Sequence, residues 1–317
     1  MGEFAVRKIE AIGCKTMMIM DKNESEKPLV WITGANGLIG NYLVQTAPRF
    51  APGHRVRAVT RADFDLLDSA AVARAWAQDQ PQLVLHCAAI TTVAGAQKDP
   101  GLARRVNVEG TRLLASLAAD IPLVFFSTDL VFDGDRGDYR ETDEPHPLHV
   151  YGETKLAAEA VVLNNPRHLV LRTSINYGVS QSGTRSFNEQ FRHSLQQARE
   201  GMTLFTDEYR CPIPAAETAR AVWELTAKGC AGLYHLAGAA RLSRWQIGQL
   251  LVKRWPEITA PLRSGSARDY PGPVRALDTS LNIAKVQAVL SRPLPRLDEW
   301  LAANPEPDEQ QRNEGPK

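Results

Sequence analysis

The chain has 317 residues, 44% of them hydrophobic and 23% charged, and its 37 basic and 36 acidic side chains leave a formal net charge of +1. That balance gives no general attraction to nucleic acid or to an anionic membrane surface, and the length suffices for a large core shared between two lobes. The four cysteines, Cys14, Cys87, Cys211 and Cys230, lack metal-ligand spacing and no His-x-x-x-His pair occurs, so no metal is expected and the thiols read as reduced groups in a cytoplasm.

Residues 1–27 mix charges with the run Met17-Met-Ile-Met20, which is too short for a bilayer and lacks a signal-peptide layout. A flexible extension is expected there. The first strand is Leu29-Val-Trp-Ile-Thr33, a short apolar run suited to a buried parallel sheet, and a helix from Leu38 to Ala47 follows it. Between them lies Thr33-Gly-Ala-Asn-Gly-Leu-Ile-Gly40, with glycines at 34, 37 and 40. A strand-to-helix turn of this kind can bring its backbone close to a pyrophosphate and offer free amides at the positive end of a helix. By itself a glycine triplet also fits an ordinary turn.

A second strand, Arg55-Val-Arg-Ala-Val-Thr60, ends about twenty residues after the last glycine, where an acidic side chain would bond the ribose 2′-hydroxyl of NAD. Thr60 and Arg61 stand there instead. A guanidinium pairs with a 2′-phosphate, so NADP(H) is favoured over NAD(H), with a solvated loop charge as the alternative reading of Arg61. Further strands near 83, 122 and 168 alternate with helices, which describes an α/β, doubly wound parallel (Rossmann) sheet. Ile121-Pro-Leu-Val-Phe-Phe126 delivers Ser127-Thr128-Asp129 at its C-terminal end, the edge where ligands bind in such sheets. A hydroxyl there can donate to a carbonyl that gains charge, or merely cap a turn.

Tyr151-Gly-Glu-Thr-Lys155 places a phenol and an ammonium four residues apart on one helix face. A neighbouring cation favours phenolate, and a phenol whose pKa falls from about 10 toward neutrality is a competent proton carrier. Beyond residue 175 the alternation loosens. Helices are expected over Phe187–Arg199, Ala215–Lys228 and Ser243–Arg254, with a strand at Gly232–Leu236, together forming a smaller α/β substrate lobe. The boundaries read from the pattern are 28–174 for the dinucleotide domain, 175–303 for the lobe and 304–317 for a disordered tail. Trp245, Trp255 and Trp300 are expected in the lobe's core.

Several stretches together resemble the extended short-chain dehydrogenase/reductases, in particular the dTDP-4-dehydrorhamnose reductase-like, sugar-nucleotide-binding group. They are Ser127-Thr-Asp-Leu-Val-Phe-Asp-Gly134, Glu141-Thr-Asp, Pro147-Leu-His-Val-Tyr-Gly-Glu-Thr-Lys-Leu156, Leu171-Arg-Thr-Ser174 and Gly232-Leu-Tyr-His-Leu236. The resemblance spans roughly residues 28 to 303. It implies Tyr151 as acid/base, Lys155 as its electrostatic partner and ribose ligand, Thr128 as the carbonyl-orienting hydroxyl and Asn107 as a supporting site residue. On the cofactor side it implies Gly34, Asn36, Gly37, Leu38, Ile39 and Gly40, the pair Asp65-Leu66 beside the adenine, and the small residues Ala88-Ala89 beneath the cofactor.

The resemblance further implies a nucleotide-sugar substrate and a homodimer, with Asp129, Leu130, Ser174, Ile175, Asn176 and Arg210 near the sugar. Here the chain departs from the group. Leu130 stands where tyrosine is usual, Ile175-Asn176 where an aromatic is usual, Ala94 and Gln97 replace acids, and Asp207-Glu-Tyr-Arg-Cys-Pro-Ile213 fits only loosely. The reading that follows is reduction of a 4-keto-6-deoxy nucleotide sugar. A dehydratase is disfavoured because Leu130 cannot serve as an acid. An epimerase remains an alternative, as does a catalytically silent NADP-binding regulatory subunit like the β subunit of methionine adenosyltransferase.

Overall fold

A computed structural model describes residues 26–198 and 200–305. The expected extension up to residue 25 and the tail beyond residue 305 lie outside the described residues. The first half of the chain runs β1 (Leu29–Thr33), α1 (Leu38–Phe50), β2 (Arg55–Val59), α2 (Ser69–Asp79), β3 (Leu83–His86), α3 (Val93–Lys98), α4 (Pro100–Arg104), α5 (Gly110–Leu117), β4 (Leu123–Thr128), α6 (Val150–Leu163) and β5 (Leu169–Thr173). The second half has β6 (Asn176–Tyr177), α7 (Phe187–Gln197), β7 (Met202–Phe205), β8 (Tyr209–Arg210), β9 (Ile213–Pro214), α8 (Ala215–Ala227) and β10 (Gly232–Leu236). It ends with β11 (Leu242–Ser243), α9 (Arg244–Val252), β12 (Leu262–Gly265), α10 (Ala284–Gln287) and α11 (Leu297–Ala303).

The main sheet has six parallel strands in the order β10-β5-β4-β3-β1-β2. Its strands carry apolar residues on both faces because both faces are covered. Val30 and Ile32 of β1 join Leu43 and Ala47 of α1 and Val222 and Trp223 of α8 in one layer. Leu29 and Trp31 join Leu114 of α5 and Ala158 and Val162 of α6 in the other. Each fully buried aliphatic of this kind contributes about 1.5–3 kcal/mol relative to exposure. Strand order reverses at β1, so a crevice opens between the C-terminal ends of β1 and β3, the position that open α/β sheets use for ligands.

The strand Gly232–Leu236, expected in the substrate lobe, is instead the sixth strand of the main sheet, paired in register with β5 from Leu169 to Thr173. The reason is the helix before it. The apolar stripe of α8 packs against α1 on the sheet, which returns the chain to the sheet's edge. The smaller lobe is built from the two-stranded pairs β6–β9, β7–β12 and β8–β11 and a separate core containing Tyr177, Phe191, Leu195, Ile247, Leu251, Leu297 and Leu301. Trp255 is fully buried in that core and Trp300 packs edge-on against Tyr177, while Trp245 is half-buried. The capping boxes Ser186/Glu189 and Ser243/Gln246 start α7 and α9. No helix among the described residues is long and apolar enough to cross a membrane.

Candidate active site

The glycine-rich turn leaves β1 with Gly34 at φ +66°, and a Cβ there would lie 2.7 Å from the Ala88 amide nitrogen. Only glycine lets β1 and the end of β3 approach so closely. A Cβ on Gly40 would lie 2.5 Å from the Gly34 carbonyl oxygen, so the third glycine brings the first turn of α1 against the loop. No side chain caps α1, whose N-cap is Gly37. The amides of Leu38, Ile39 and Gly40 therefore stand at the positive helix end without a capping partner, and Asn36 is exposed beside them. A narrow, amide-rich cradle without side chains fits a dinucleotide's pyrophosphate.

At the end of β2, the amide and hydroxyl of Thr60 both donate to the Asp63 carboxylate at 2.8 Å. That closed turn holds Thr60 and leaves Arg61 exposed. Asp65 is also exposed and accepts the Leu67 amide at 2.9 Å, with Leu66 half-buried next to it. Ala88 and Ala89 follow β3, and the Ala88 amide donates to the Thr33 hydroxyl at 3.3 Å. The ends of β1, β2 and β3 and the start of α1 thus carry the positions expected to meet a dinucleotide, all at the C-terminal edge of the sheet.

Thr128 ends β4 and Tyr151 lies in the first turn of α6. The Thr128 hydroxyl stands close enough to the Tyr151 phenol to lower its pKa. Thr128 also donates to Asp129 Oδ1 and accepts the Leu130 amide, both at 3.2 Å. Tyr151 is buried with Ile90, Val93, Ala96, Ala103 and Leu130. Burial pushes its phenol up to about 12, the Thr128 hydroxyl pulls it down, and Asp129 pushes it up further. A depressed phenol pKa with the Lys155 ammonium beside it was the expectation, and the structure reverses it. The Lys155 ammonium instead lies over the Phe125 ring, 3.9 Å from its centre. Burial pulls the lysine from its ordinary 10.5 to about 7, against the opposing influence of Glu159 and Cys87.

Asn107 sits in a π-helical turn, Arg105–Glu109, a distortion that often marks a functional segment. Its carbonyl Oδ1 accepts the Ile90 amide at 2.8 Å, and its Nδ2 donates to Ile90 O at 3.1 Å and to Thr154 Oγ1 at 3.0 Å. Asn107 therefore ties the loop after β3 to α6 and fixes the height of Tyr151 without touching the phenol. Beneath it, His86 bridges Thr33 (2.7 Å) and Thr111 (3.0 Å), and burial, then Lys155, holds its pKa at about 3.

On the sugar side, Asp129 Oδ2 accepts Ser174 Oγ at 2.7 Å and Thr279 Oγ1 at 3.2 Å, and Arg210 Nε lies 3.8 Å away. Arg210 is buried and also meets Glu208 at 3.2 Å and the carbonyls of Tyr209 and Ala276. Asp129, Ser174 and Arg210 are thus brought together as a buried joint between sheet and lobe. Leu130, Ile175 and Asn176 are half-buried, and Asn176 is engaged by Thr173, the Ser174 carbonyl and Thr218.

Besides His86, a buried carboxylate escaped the sequence reading. Glu159, four residues past Lys155, is held by Arg172 at 2.7 Å and by the Ser127 hydroxyl. The spacing Tyr151, Lys155, Glu159 on one helix face carried the signal. Among the described residues no cluster of three or more His, Cys, Asp or Glu side chains is arranged to hold a metal ion.

A parallel six-stranded sheet with a glycine cradle at its reversal point and a Thr/Tyr/Lys set beside it defines an extended short-chain dehydrogenase/reductase-type protein. The family profile described as "RmlD substrate binding domain" matches residues 29–304, and the chain belongs to that family. It is 31% identical to the probable low-salt glycan biosynthesis reductase Agl14 of Haloferax volcanii over 86% of this chain and 96% of that protein. It is 30% identical to a dTDP-4-dehydrorhamnose reductase of Sinorhizobium fredii over 84% and 93% respectively. It is also 33% identical to methionine adenosyltransferase 2 subunit beta of Xenopus laevis over 81% and 80%. A dTDP-4-dehydrorhamnose reductase from Bacillus anthracis, solved with NADP, superposes with a TM-score of 0.79 at 24% identity, covering 87% of this chain and 98% of that one.

Proposed function

We propose that the protein is an NADP(H)-dependent reductase of a 4-keto-6-deoxy nucleotide sugar. The observation that carries the reading is the buried Tyr151 phenol beside the Thr128 hydroxyl, at the C-terminal edge of the sheet that also holds the glycine cradle. The bound dinucleotide would supply a hydride to the ketone carbon. Thr128 then orients the carbonyl oxygen, and the Tyr151 phenol gives that oxygen its proton, so one C–H and one O–H bond form as the C=O π bond is lost. A phenol raised to about 12 remains protonated near neutrality, which is the form that donation requires. Lys155, held near neutrality by burial, supplies a donor for the cofactor's ribose, and Asn107 positions the tyrosine's helix. The exposed Arg61 meets a 2′-phosphate, and the buried joint of Asp129, Ser174 and Arg210 supports the sugar pocket behind Leu130, Ile175 and Asn176. The protein works in the cytoplasm as a homodimer on this reading.

The test is absorbance at the reduced nicotinamide band with a panel of 4-keto nucleotide sugars. Oxidation of NADPH by at least one sugar supports the proposal. A second reading, a silent NADP-binding regulatory subunit, draws on the 33% identical methionine adenosyltransferase relative. Tight NADPH binding without oxidation by any sugar, together with a co-purifying partner enzyme, would favour it.

A further inference from the structure

The segment Gly178–Ser186 leaves the smaller lobe and returns over the first turn of α1. Gly178 packs against Tyr42, whose ring lies 3.0 Å from where a Cβ would sit, and the Val179 amide donates to the Tyr42 hydroxyl at 3.2 Å. Gln181 Nε2 donates to Asn41 Oδ1 at 3.1 Å. The loop is closed on itself by one carboxylate. Glu189 accepts the Ser180 amide (2.7 Å) and hydroxyl (2.6 Å) and the amides of Arg185 and Ser186 (2.9 Å each). Gly183, at φ +67° with open space around it, forms the tip.

This ordering delivers one cation to the glycine cradle. Arg185 Nη1 donates to the Asn36 carbonyl at 3.2 Å, and its guanidinium is exposed and has no carboxylate partner among the described residues. An arginine that uses one N–H on a turn's carbonyl keeps the rest of its fork for an anion, and a fork matches phosphate oxygens. We propose that Gly178–Ser186 is a strap over the cofactor's pyrophosphate, with Arg185 as the counter-charge donated by the smaller lobe. The inference rests on the NADP(H) reading and extends it, because the glycine turn alone supplies only amides. It also makes cofactor retention depend on the lobe that meets the sugar.

The experiment titrates full-length wild type, Arg185→Ala and Arg185→Lys with NADPH and with 2′-AMP, which carries the 2′-phosphate but no pyrophosphate. Thermal melts run alongside to confirm that each variant is folded. The expected result is a rise of about tenfold in the NADPH Kd for Arg185→Ala, a smaller rise for Arg185→Lys, and 2′-AMP affinity unchanged in both. Stopped-flow release of NADPH should be faster in Arg185→Ala by a similar factor. NADPH affinity equal to wild type, or an equal loss for both ligands, would overturn the strap while leaving the cofactor reading intact. Failure of wild type to bind NADPH would overturn the cofactor reading itself.

Discussion

Tyr151 and Thr128 stand side by side, both buried, and of the two the phenol is the stronger acid. Tyr151→Phe removes that proton and little volume, so turnover should fall by at least about 10²-fold while NADPH affinity, read by calorimetry, stays within about threefold. Turnover near wild type would remove the phenol from the chemistry. Arg61 is a separate residue-scale claim. Exposed at the end of β2, it should set the preference for the 2′-phosphate, and Arg61→Asp should move the ratio of NADPH to NADH affinity toward NADH. An unchanged ratio would make it a surface charge. The placement of the three glycines in the β1–α1 turn and of Tyr151 and Lys155 one turn apart on α6 was legible in the sequence. The direction of the Lys155 ammonium was not, because Phe125, on a strand distant in sequence, supplies the face it rests on.

Helix α6 carries more than the tyrosine and lysine. Its Glu159, with Arg172 of β5 and Ser127 of β4, forms a buried ionic joint between helix and sheet, with side chains 2% and 4% exposed for the ion pair. Arg172→Met would strand a buried carboxylate and should cost about 3–5 kcal/mol, read as a lower urea midpoint. The double variant Arg172→Met with Glu159→Leu should recover most of that loss, since neither charge then remains. A double variant no better than the single would show that the guanidinium acts through packing against Phe132 instead. The elements themselves were well marked by their apolar patterns, with ends shifted by a few residues. Helix α8 stops at Ala227 and α9 spans Arg244–Val252 rather than Ser243–Arg254. The placement of Gly232–Leu236 was not marked, because its partner β5 is chosen by how α8 packs on α1, a contact that no local pattern encodes.

At the scale of the molecule, the sheet gathers a glycine turn from β1, an arginine after β2, the Asn107 clamp from the π-helical turn and a phenol from α6 at a single edge. Its stability should carry the signature of the buried lysine. Lys155 titrates at about 7 in the folded protein and near 10.5 when exposed, so across that window the unfolded chain binds a proton that the folded one has released. Stability should therefore rise with pH between about 7 and about 10, and Lys155→Met should flatten that rise in urea melts. An identical slope in the variant would contradict the desolvated lysine. The buried joint of Asp129, Ser174 and Arg210 links this edge to the smaller lobe, and its interior position was invisible in a sequence that showed only polar residues near the expected sugar site. The most direct test of the whole account is the fate of deuterium from nicotinamide-labelled NADPH, followed by NMR with a 4-keto-6-deoxy nucleotide sugar. The account predicts deuterium at C4 of the product with wild type and none with Tyr151→Phe over the same interval, whereas label elsewhere, or equal transfer by both proteins, would contradict it.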